Sequence, residues 1–419
     1  MDFKERLARL DPKKNYAIPG RTGDGIDYSY LLPGKMESNA CGSYWYIRTE
    51  LSLAHRHGNF IPGNFLERNL DNLRFAAKRP LAKTICPRNL LFMDTETTGL
   101  AGGTGTMAFL VGIGYFGDDC FVIEQYFVRR FAEERAVLGQ FLNCLERTAG
   151  AHGALVTFNG KCYDLPLLYN RAVLQRFSTV PVIDAHIDLL YPARRLWRKH
   201  LPDCALKTLE RALSGVIRQG DVPACLIPEM YFRYLRTSDP TPLKEVFYHN
   251  QLDILSMVAL LDTMLLLFSQ DPAGAYLPVD RLSMARMVEE VDREEMSLAF
   301  YDKLIEGSSG EWERKQIMLR KARLHKRKRN FAEAVSLWEA ALGCRGFSTE
   351  PYEELAKVYE HRLADLHKAR DYTERALEQV ALVQTLYPMR LPPYLKENLL
   401  ERLQRLKRKQ HQEGMCHNE

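Results

Sequence analysis

Residues 90–100 read LLFMDTETTGL and place two acidic side chains directly after a short apolar run. Residues 90–93 predict a buried strand that continues into Asp94-Thr95-Glu96. Successive side chains of a strand alternate between its two faces, so Asp94 and Glu96 project together. Two carboxylates side by side repel each other unless a cation lies between them, and Mg²⁺ and Mn²⁺ prefer such oxygen ligands. The stretch therefore predicts a strand that carries a metal site.

Two later stretches each add a carboxylate. FNGKCYD, residues 158–164, lies at a strand end that runs into a helix, from which Asp164 can reach back to the first strand. YHNQLD, residues 248–253, opens a helix on which His249 and Asp253, four residues apart, share a face. A lone Asp at a helix start is usually a cap, but the three motifs in this order predict one site.

The elements around these motifs predict a mixed sheet. Strands are expected at 106–116, 120–127, 154–158 and 180–184, and helices at 133–147 and from Leu165. Three hairpin-linked strands followed by helix, strand, helix and strand are typical of an α/β sheet covered by helices, and this is the order of the ribonuclease H fold.

The motifs together resemble the DEDD exonucleases of the DnaQ-like superfamily, within the ribonuclease H-like fold. Asp94 and Glu96 match its first motif, Asp164 the second and Asp253 the third. Residues 87–268 are most similar to the YprB-type ribonuclease H-like family, through FNGKCYDLPLL, DLLYPARRLW and VPACLIPEMYFRYL. Members of that family are related to the proofreading domain of family B polymerases and often carry a tetratricopeptide region.

The resemblance implies a two-metal-ion nuclease, expected to be a 3′–5′ exonuclease that acts on the end of a single-stranded nucleic acid, DNA or RNA. The four carboxylates would bind two Mg²⁺ or Mn²⁺ ions, with Asp94 as the bridging ligand. Ions paired in this way lie about 3.5–4 Å apart, where one polarises water and the other stabilises the leaving 3′-oxygen.

The residue that takes or orients the water proton departs from the superfamily's two patterns. DEDD enzymes have Tyr four residues before the last Asp or His five residues before it, whereas here His249 stands at −4 and Tyr248 at −5. Because His249 shares a helical face with Asp253 and imidazole titrates near neutral pH, we favour His249, and Tyr248 is the alternative. The competing function is a catalytically impaired scaffold whose helical region binds a protein partner.

Three further segments flank the nuclease domain, which is expected at 86–270. Residues 1–85 form an N-terminal extension, in which 44–53 predicts a strand. Residues 279–405 predict helix pairs similar to tetratricopeptide repeats, because Ala334 and Ala341 recur 35 residues later as Ala369 and Ala376. A protein partner is expected on these helices, and residues 406–419 are a polar tail.

Composition sets the broad class. The 419 residues are 46% hydrophobic and 26% charged with a net charge of +5, which predicts two or three globular domains and permits a polyanionic partner without requiring one. The first ten residues lack the apolar centre of a secretory signal, and the most apolar segment, 256–268, is too short to span a bilayer. The nine cysteines show no zinc or CxxC spacing. We therefore expect a cytoplasmic protein with reduced thiols and no membrane contact.

Candidate contacts to nucleic acid are Lys161, beside Asp164, and the basic cluster that contains Arg194, Arg195 and Trp197. Cationic side chains suit the phosphate backbone and an aromatic ring suits base stacking, although a solvated helix face is the alternative for the cluster. Asp184, His186 and Asp188 invite a second metal site, but capping and turn roles are expected for them.

Overall fold

The computed structural model describes residues 32–79, 81, 85–99, 105–150, 152–183, 185–269, 278–291, 294–308, 310–386 and 391–416. Over these residues the chain divides into two compact units. Unit 1 comprises the described residues up to Leu70, Ala82–Leu189 and Ala205–Asp262. Unit 2 comprises Asp71–Leu81, Leu190–Cys204 and the described residues from Thr263 onward.

Unit 1 is built on a seven-stranded mixed sheet. Its strands are β1 Lys35–Asn39, β2 Gly42–Ser52, β3 Leu90–Thr97, β4 Ala108–Phe116, β5 Cys120–Phe127, β6 Ala154–Thr157 and β7 Ala185–Asp188. The strand order is β1-β2-β5-β4-β3-β6-β7, in which β6 runs parallel to both β3 and β7 and the other neighbours are antiparallel. The predicted mixed sheet is confirmed, and the N-terminal extension adds the β1–β2 hairpin to it.

The described residues form fifteen α-helices. They are α1 Pro62–Leu66, α2 Leu73–Ala77, α3 Glu134–Gly150, α4 Asp164–Leu174, α5 Leu190–Trp197, α6 Leu206–Ser214, α7 Ile227–Thr237, α8 Leu243–Ser269, α9 Arg281–Val291, α10 Glu294–Glu306, α11 Glu311–Arg327, α12 Phe331–Leu342, α13 Glu350–His361, α14 Leu366–Leu386 and α15 Pro393–Cys416. The helices predicted at 133–147 and from 165 therefore correspond to α3 and α4.

The predicted fifth strand at 180–184 is wrong. Residues 180–183 form no strand, and Asp184 lies outside the described residues. The strand is Ala185–Asp188, whose residues pair in register with the four residues of β6. Pro181 has no N–H to donate to a ladder, so the apolar run that suggested a strand precedes the sheet.

The two faces of the sheet are covered by different helices. On one face, residues of α3 and α7 join a hydrophobic cluster in which the rings of Phe109 and Tyr231 stack with centroids 4.1 Å apart. On the other face α8 lies close to β4, because Gly112 and Gly114 present no side chain to Ile254. Asp94 pairs with Gly112 across β3 and β4, which directs it toward α8.

Helix α8 is long and apolar enough to cross a bilayer by composition alone. The protein itself buries 72% of its most apolar window, however, and a core helix has the same composition. Its packing against β4 identifies it as a core helix of the sheet domain.

Unit 2 is all-helical in its C-terminal part, as predicted. One of its hydrophobic clusters contains Trp338, and Ala334, Ala341, Ala369 and Ala376 are fully buried. Small side chains at these positions let neighbouring helices approach closely. The tetratricopeptide identity of the helices stays a prediction.

Candidate active site

Strand β3 presents its acidic side chains to α8. Nδ2 of Asn250 donates to Oδ2 of Asp94 at 2.8 Å, and Nε2 of His249 lies 4.0 Å from Oε1 of Glu96. Both carboxylates therefore face the same helix, in keeping with their alternation along the strand. Asn250 is itself fixed, because Nε2 of Gln125 donates to its Oδ1 at 2.8 Å.

Asp164 reaches the end of β3 from the opposite face of the sheet. It begins α4, whose apolar residues belong to the cluster on the α3 side. The hydroxyl of Thr95 donates to Oδ1 of Asp164. Thr95 lies between Asp94 and Glu96 on β3, and its side chain faces the opposite side of the sheet. The hydrogen bond therefore holds the carboxylate of Asp164 next to the strand segment that carries the other two.

The loop before Asp164 is ordered by Asp188. Its two carboxylate oxygens accept from the backbone N–H of Asn159 at 2.8 Å and from that of Lys161 at 3.0 Å. His186 contacts the hydroxyl of Thr157 at 2.9 Å. The contacts of Asp188 agree with the turn role that we expected for it, whereas His186 lies within β7 and contacts the neighbouring strand β6.

His249 is held by a carboxylate that no motif indicated. Its Nδ1 lies 2.5 Å from Oδ1 of Asp221, and its Nε2 lies 3.5 Å from Oδ2 of Asp253. Asp221 is 2% exposed at its side chain and also contacts Lys207 and Arg218. The imidazole is thus fixed at one nitrogen and presents the other to the acidic cluster.

Asp253 is paired with a buried cation. Nη2 of Arg218 donates to its Oδ1 at 2.5 Å, and the same guanidinium donates to both oxygens of Glu210 at 2.6 and 2.8 Å. The side chains of Arg218 and Glu210 are each 1% exposed. A buried ion pair of this kind fixes the position of Asp253, because breaking it would strand a charge away from water.

The charges of Asp253 and Asp164 act on both carboxylates of β3. Burial, followed by the charges of Asp253 and Asp164, raises the pKa of Asp94 well above its usual range. Burial and the charges of Asp94, Asp253 and Asp164 do the same to the pKa of Glu96. Burial raises the pKa of Asp164 to about 6, although the hydrogen bond from Thr95 opposes the change. A cation among these groups would relieve both the repulsion and the lost hydration.

The donor set suits a hard divalent cation, since oxygen ligands dominate it. Two of the possible ligands already accept hydrogen bonds, Asp94 from Asn250 and Asp253 from Arg218. A bound ion would have to share these carboxylates with those donors. Over the described part of the chain, no three His, Cys, Asp or Glu side chains are already arranged around a point where an ion would sit. The chemistry therefore fits a metal, and the ion must compete with protein donors for its ligands.

The residues expected to contact nucleic acid are not all exposed. Lys161 and Arg194 are at the surface, whereas Arg195 forms a two-point ion pair with Glu290 at 2.7 Å. Trp197 is 1% exposed. The prediction that Trp197 stacks on a base is wrong, because α5 turns its apolar face, including this ring, into the protein.

Sequence reasoning missed several residues that shape the site, namely Thr95, Glu210, Arg218, Asp221 and Asn250. Thr95 and Asn250 stand inside the quoted motifs, and the glycines at 112 and 114 were a signal of close helix packing. Asp221 lies 28 residues before His249 in a loop, and nothing local to it indicates a role.

Comparisons with known proteins agree with this geometry. A family model described as the RNase H superfamily matches residues 91–265, which include all four carboxylates. The chain is also 31% identical over 372 residues to YprB of Bacillus subtilis, an uncharacterised protein, covering 87% of this chain and 86% of the relative. Members of the superfamily are typically nucleases, and they generally use divalent metal ions. The chain thus belongs to the same family as YprB, and its residues 91–265 form a domain of the ribonuclease H superfamily.

Proposed function

We propose that this protein is a metal-dependent 3′–5′ exonuclease that hydrolyses phosphodiester bonds at the end of a single-stranded nucleic acid. The observation that carries the proposal is the approach of Asp94, Glu96, Asp164 and Asp253 to the end of β3 from both faces of the sheet. Four carboxylates that lie close together, with Glu96 and Asp164 buried, are costly without a cation. A cation-binding site is the use of this cluster that its chemistry supports best.

Two Mg²⁺ or Mn²⁺ ions, when bound, would supply Lewis acidity to the scissile phosphate. The protein's own groups would hold and orient them. Asn250 steadies Asp94, and Thr95 steadies Asp164, so the carboxylates do not depend on the ions for their placement. Asp253 is placed by Arg218.

His249 is proposed to accept or orient the proton of the attacking water. Asp221 occupies Nδ1, so Nε2 is the nitrogen that faces Glu96 and Asp253. An orienting carboxylate of this kind fixes the tautomer and ring direction of a histidine. Asp221 is thus a positioning residue, which acts through His249.

The decisive experiment is cleavage of 5′-labelled single-stranded DNA and RNA with Mg²⁺ or Mn²⁺. We expect a ladder that shortens from the 3′ end, and no cleavage of a strand whose 3′ end carries an inverted nucleotide. Asp94→Asn should abolish cleavage, whereas Asp118→Asn, at a fully exposed carboxylate, should retain it. Metal-independent cleavage, or full activity of Asp94→Asn, would overturn the proposal.

One observation supports a second function, a scaffold with impaired chemistry whose helices bind a protein partner. Arg218 already neutralises Asp253 at 2.5 Å, as a resident cation would. The two functions differ in their response to metal. An intact site gains thermal stability from millimolar Mn²⁺ through ligand linkage, and Asp94→Asn should lose that gain. A wild-type protein that neither cleaves nor shifts with Mn²⁺ favours the scaffold.

A further inference from the structure

A groove of about 330 Å³ lies beside the carboxylate cluster in unit 1. It is lined by Leu51 of β2, Ile123 of β5, and Tyr248 and Leu252 of α8, among others. Two large apolar side chains at its edge face solvent, Ile217 with 69% and Tyr248 with 44% of their surface exposed. Exposed apolar and aromatic side chains around one concavity are typical of a binding site.

Two segments that line the groove are held together by close backbone contacts. A Cβ atom on Gly58, whose φ is +60°, would lie 2.0 Å from the carbonyl oxygen of Ser214. The next residue, Asn59, donates its backbone N–H to that same carbonyl at 2.8 Å. The segment after β2 and the loop after α6 are thereby locked together, and glycine at position 58 is required for their approach.

A chain of hydrogen bonds connects the groove to the third acidic motif, residues 248–253. Nε2 of buried His57 lies 2.8 Å from the hydroxyl of Ser256 on α8, and that hydroxyl donates to Glu210. Glu210 in turn holds Arg218, which lines the groove and bonds Asp253. The groove and the carboxylate cluster therefore share one wall.

Arg56, an exposed residue, gives the lining of the groove a positive charge, and among the described residues that line it there is no Asp or Glu. Arg218 also lines the groove, but its charge is balanced by Glu210 and Asp253. Tyr248 and His249 are consecutive on α8, yet the tyrosine lines the groove while the imidazole faces the carboxylates. A positive groove with an exposed ring is the combination that binds single-stranded nucleic acid, by backbone charge and base stacking.

We propose that this groove binds one nucleotide of a single-stranded nucleic acid, with the base against Tyr248 and Ile217 and a phosphate at Arg56. The proposal rests on the proposed function in one respect: the bound strand is expected to continue from the groove to the carboxylates on the other side of Arg218. It assigns a binding role to Tyr248 and to the segment that follows β2.

The test measures binding without catalysis. A fluorescein-labelled ten-nucleotide (dT) strand is titrated with the full chain in EDTA, and the Kd is read by fluorescence anisotropy. Loss of stacking on one base costs about 1–3 kcal/mol, so Tyr248→Ala should weaken binding roughly 5- to 150-fold. Tyr248→Phe keeps the ring and should bind like the wild type. Arg56→Ala should weaken binding and make it less sensitive to salt.

Two matched controls lie on the same unit away from the groove. Phe131→Ala removes an aromatic ring that is 59% exposed, and Arg236→Ala removes an exposed cation of α7. Neither should change the Kd. Ile217→Glu places a carboxylate on an exposed wall, where folding should tolerate it, and should also weaken binding even if Tyr248→Ala proves unstable.

The outcomes separate this proposal from the proposed function. Groove-dependent binding without cleavage in Mn²⁺ would support the groove and refute the nuclease. Unchanged Kd in Tyr248→Ala, Arg56→Ala and Ile217→Glu would overturn the groove, whatever the cleavage assay shows. Failure of the wild-type chain to bind the strand would overturn it too.

Discussion

A Cβ atom on Gly112 would lie 2.0 Å from Oδ1 of Asn250, the residue whose amide nitrogen donates to Asp94. The same Cβ would lie 2.8 Å from a methyl group of Ile254. The absence of a side chain at this one position of β4 therefore sets how closely α8 approaches the strand that carries the first two carboxylates.

Gly112→Ala should push α8 away from the sheet. Overpacking a filled core costs about 1–3 kcal/mol, and we expect a lower melting temperature. Because Asn250 would shift with the helix, cleavage should fall about 10²-fold, the cost of roughly an ångström of misplacement. Gly105→Ala is the control, since no atom of the described residues lies within 4 Å of its new methyl group. Equal melting temperatures and rates for the two variants would contradict the packing argument.

His249→Ala should lower the turnover rate by about 10²–10⁴-fold, as expected for loss of a general base. Affinity for Mn²⁺, measured by calorimetry, should change little because the carboxylates remain. Tyr248→Phe should be mild in the same assay. If Tyr248→Phe abolishes cleavage while His249→Ala stays near wild type, the base has been assigned to the wrong residue.

Asp221→Asn should lower kcat about 10- to 100-fold, the usual effect of losing an orienting partner, and leave KM nearly unchanged. Since Asp221 acts through His249, the double variant should be no slower than His249→Ala alone. If the kcat losses of the two single variants add in the double variant, Asp221 does not act through His249.

The sequence predicted the carboxylates and most strands because their signals are local. An apolar run followed by Asp-x-Glu predicts a buried strand, and it also predicts that the two acidic side chains lie on the same face of that strand. Asp221 and Arg218 carry no such signal, because their contacts with His249 and Asp253 arise from the fold of a loop far away in the chain. The fifth strand was misplaced for a related reason. Its register is set by pairing with β6, which local hydrophobicity does not encode.

Trp338 and Trp312 offer a matched pair in unit 2. Trp338 is fully buried, whereas Trp312 is 58% exposed. Trp338→Ala should destabilise the protein by about 3–5 kcal/mol through the cavity it leaves, while Trp312→Ala should stay within about 0.5 kcal/mol of the wild type. Urea unfolding followed by circular dichroism measures both. Comparable losses would mean that the helical cluster is not packed around Trp338.

Glu360 should make the stability of unit 2 depend on pH. Its buried carboxylate accepts hydrogen bonds from Arg402, Arg405 and Lys409 at 3.0, 3.1 and 2.8 Å. Burial raises its pKa, but the bonds from Arg405 and Lys409 outweigh burial and bring the pKa from 4.5 down to about 2. The folded state thus binds fewer protons there than the unfolded chain, so this stabilisation is complete above pH 4.5 and is lost as the pH falls toward 2.

The contribution at pH 7 is at most about 3 kcal/mol. Glu360→Gln should therefore be less stable than the wild type at pH 7, and the difference should shrink as urea unfolding is repeated down to pH 3. A difference that stays constant with pH would show that the loss comes from packing alone.

The hairpin of β1 and β2 has a consequence for aggregation. Eight residues of β2 pair with β5, a strand that is buried almost throughout. Without the hairpin, β5 would become an edge strand with apolar side chains and unpaired backbone N–H and C=O groups. Such an edge favours strand pairing between molecules. In the intact chain the outermost strands of the sheet are short instead, five residues in β1 and four in β7, and β1 also carries the ion pair of Lys35 and Glu37. A nuclease domain trimmed to start at residue 86 should therefore keep its carboxylates and lose its solubility.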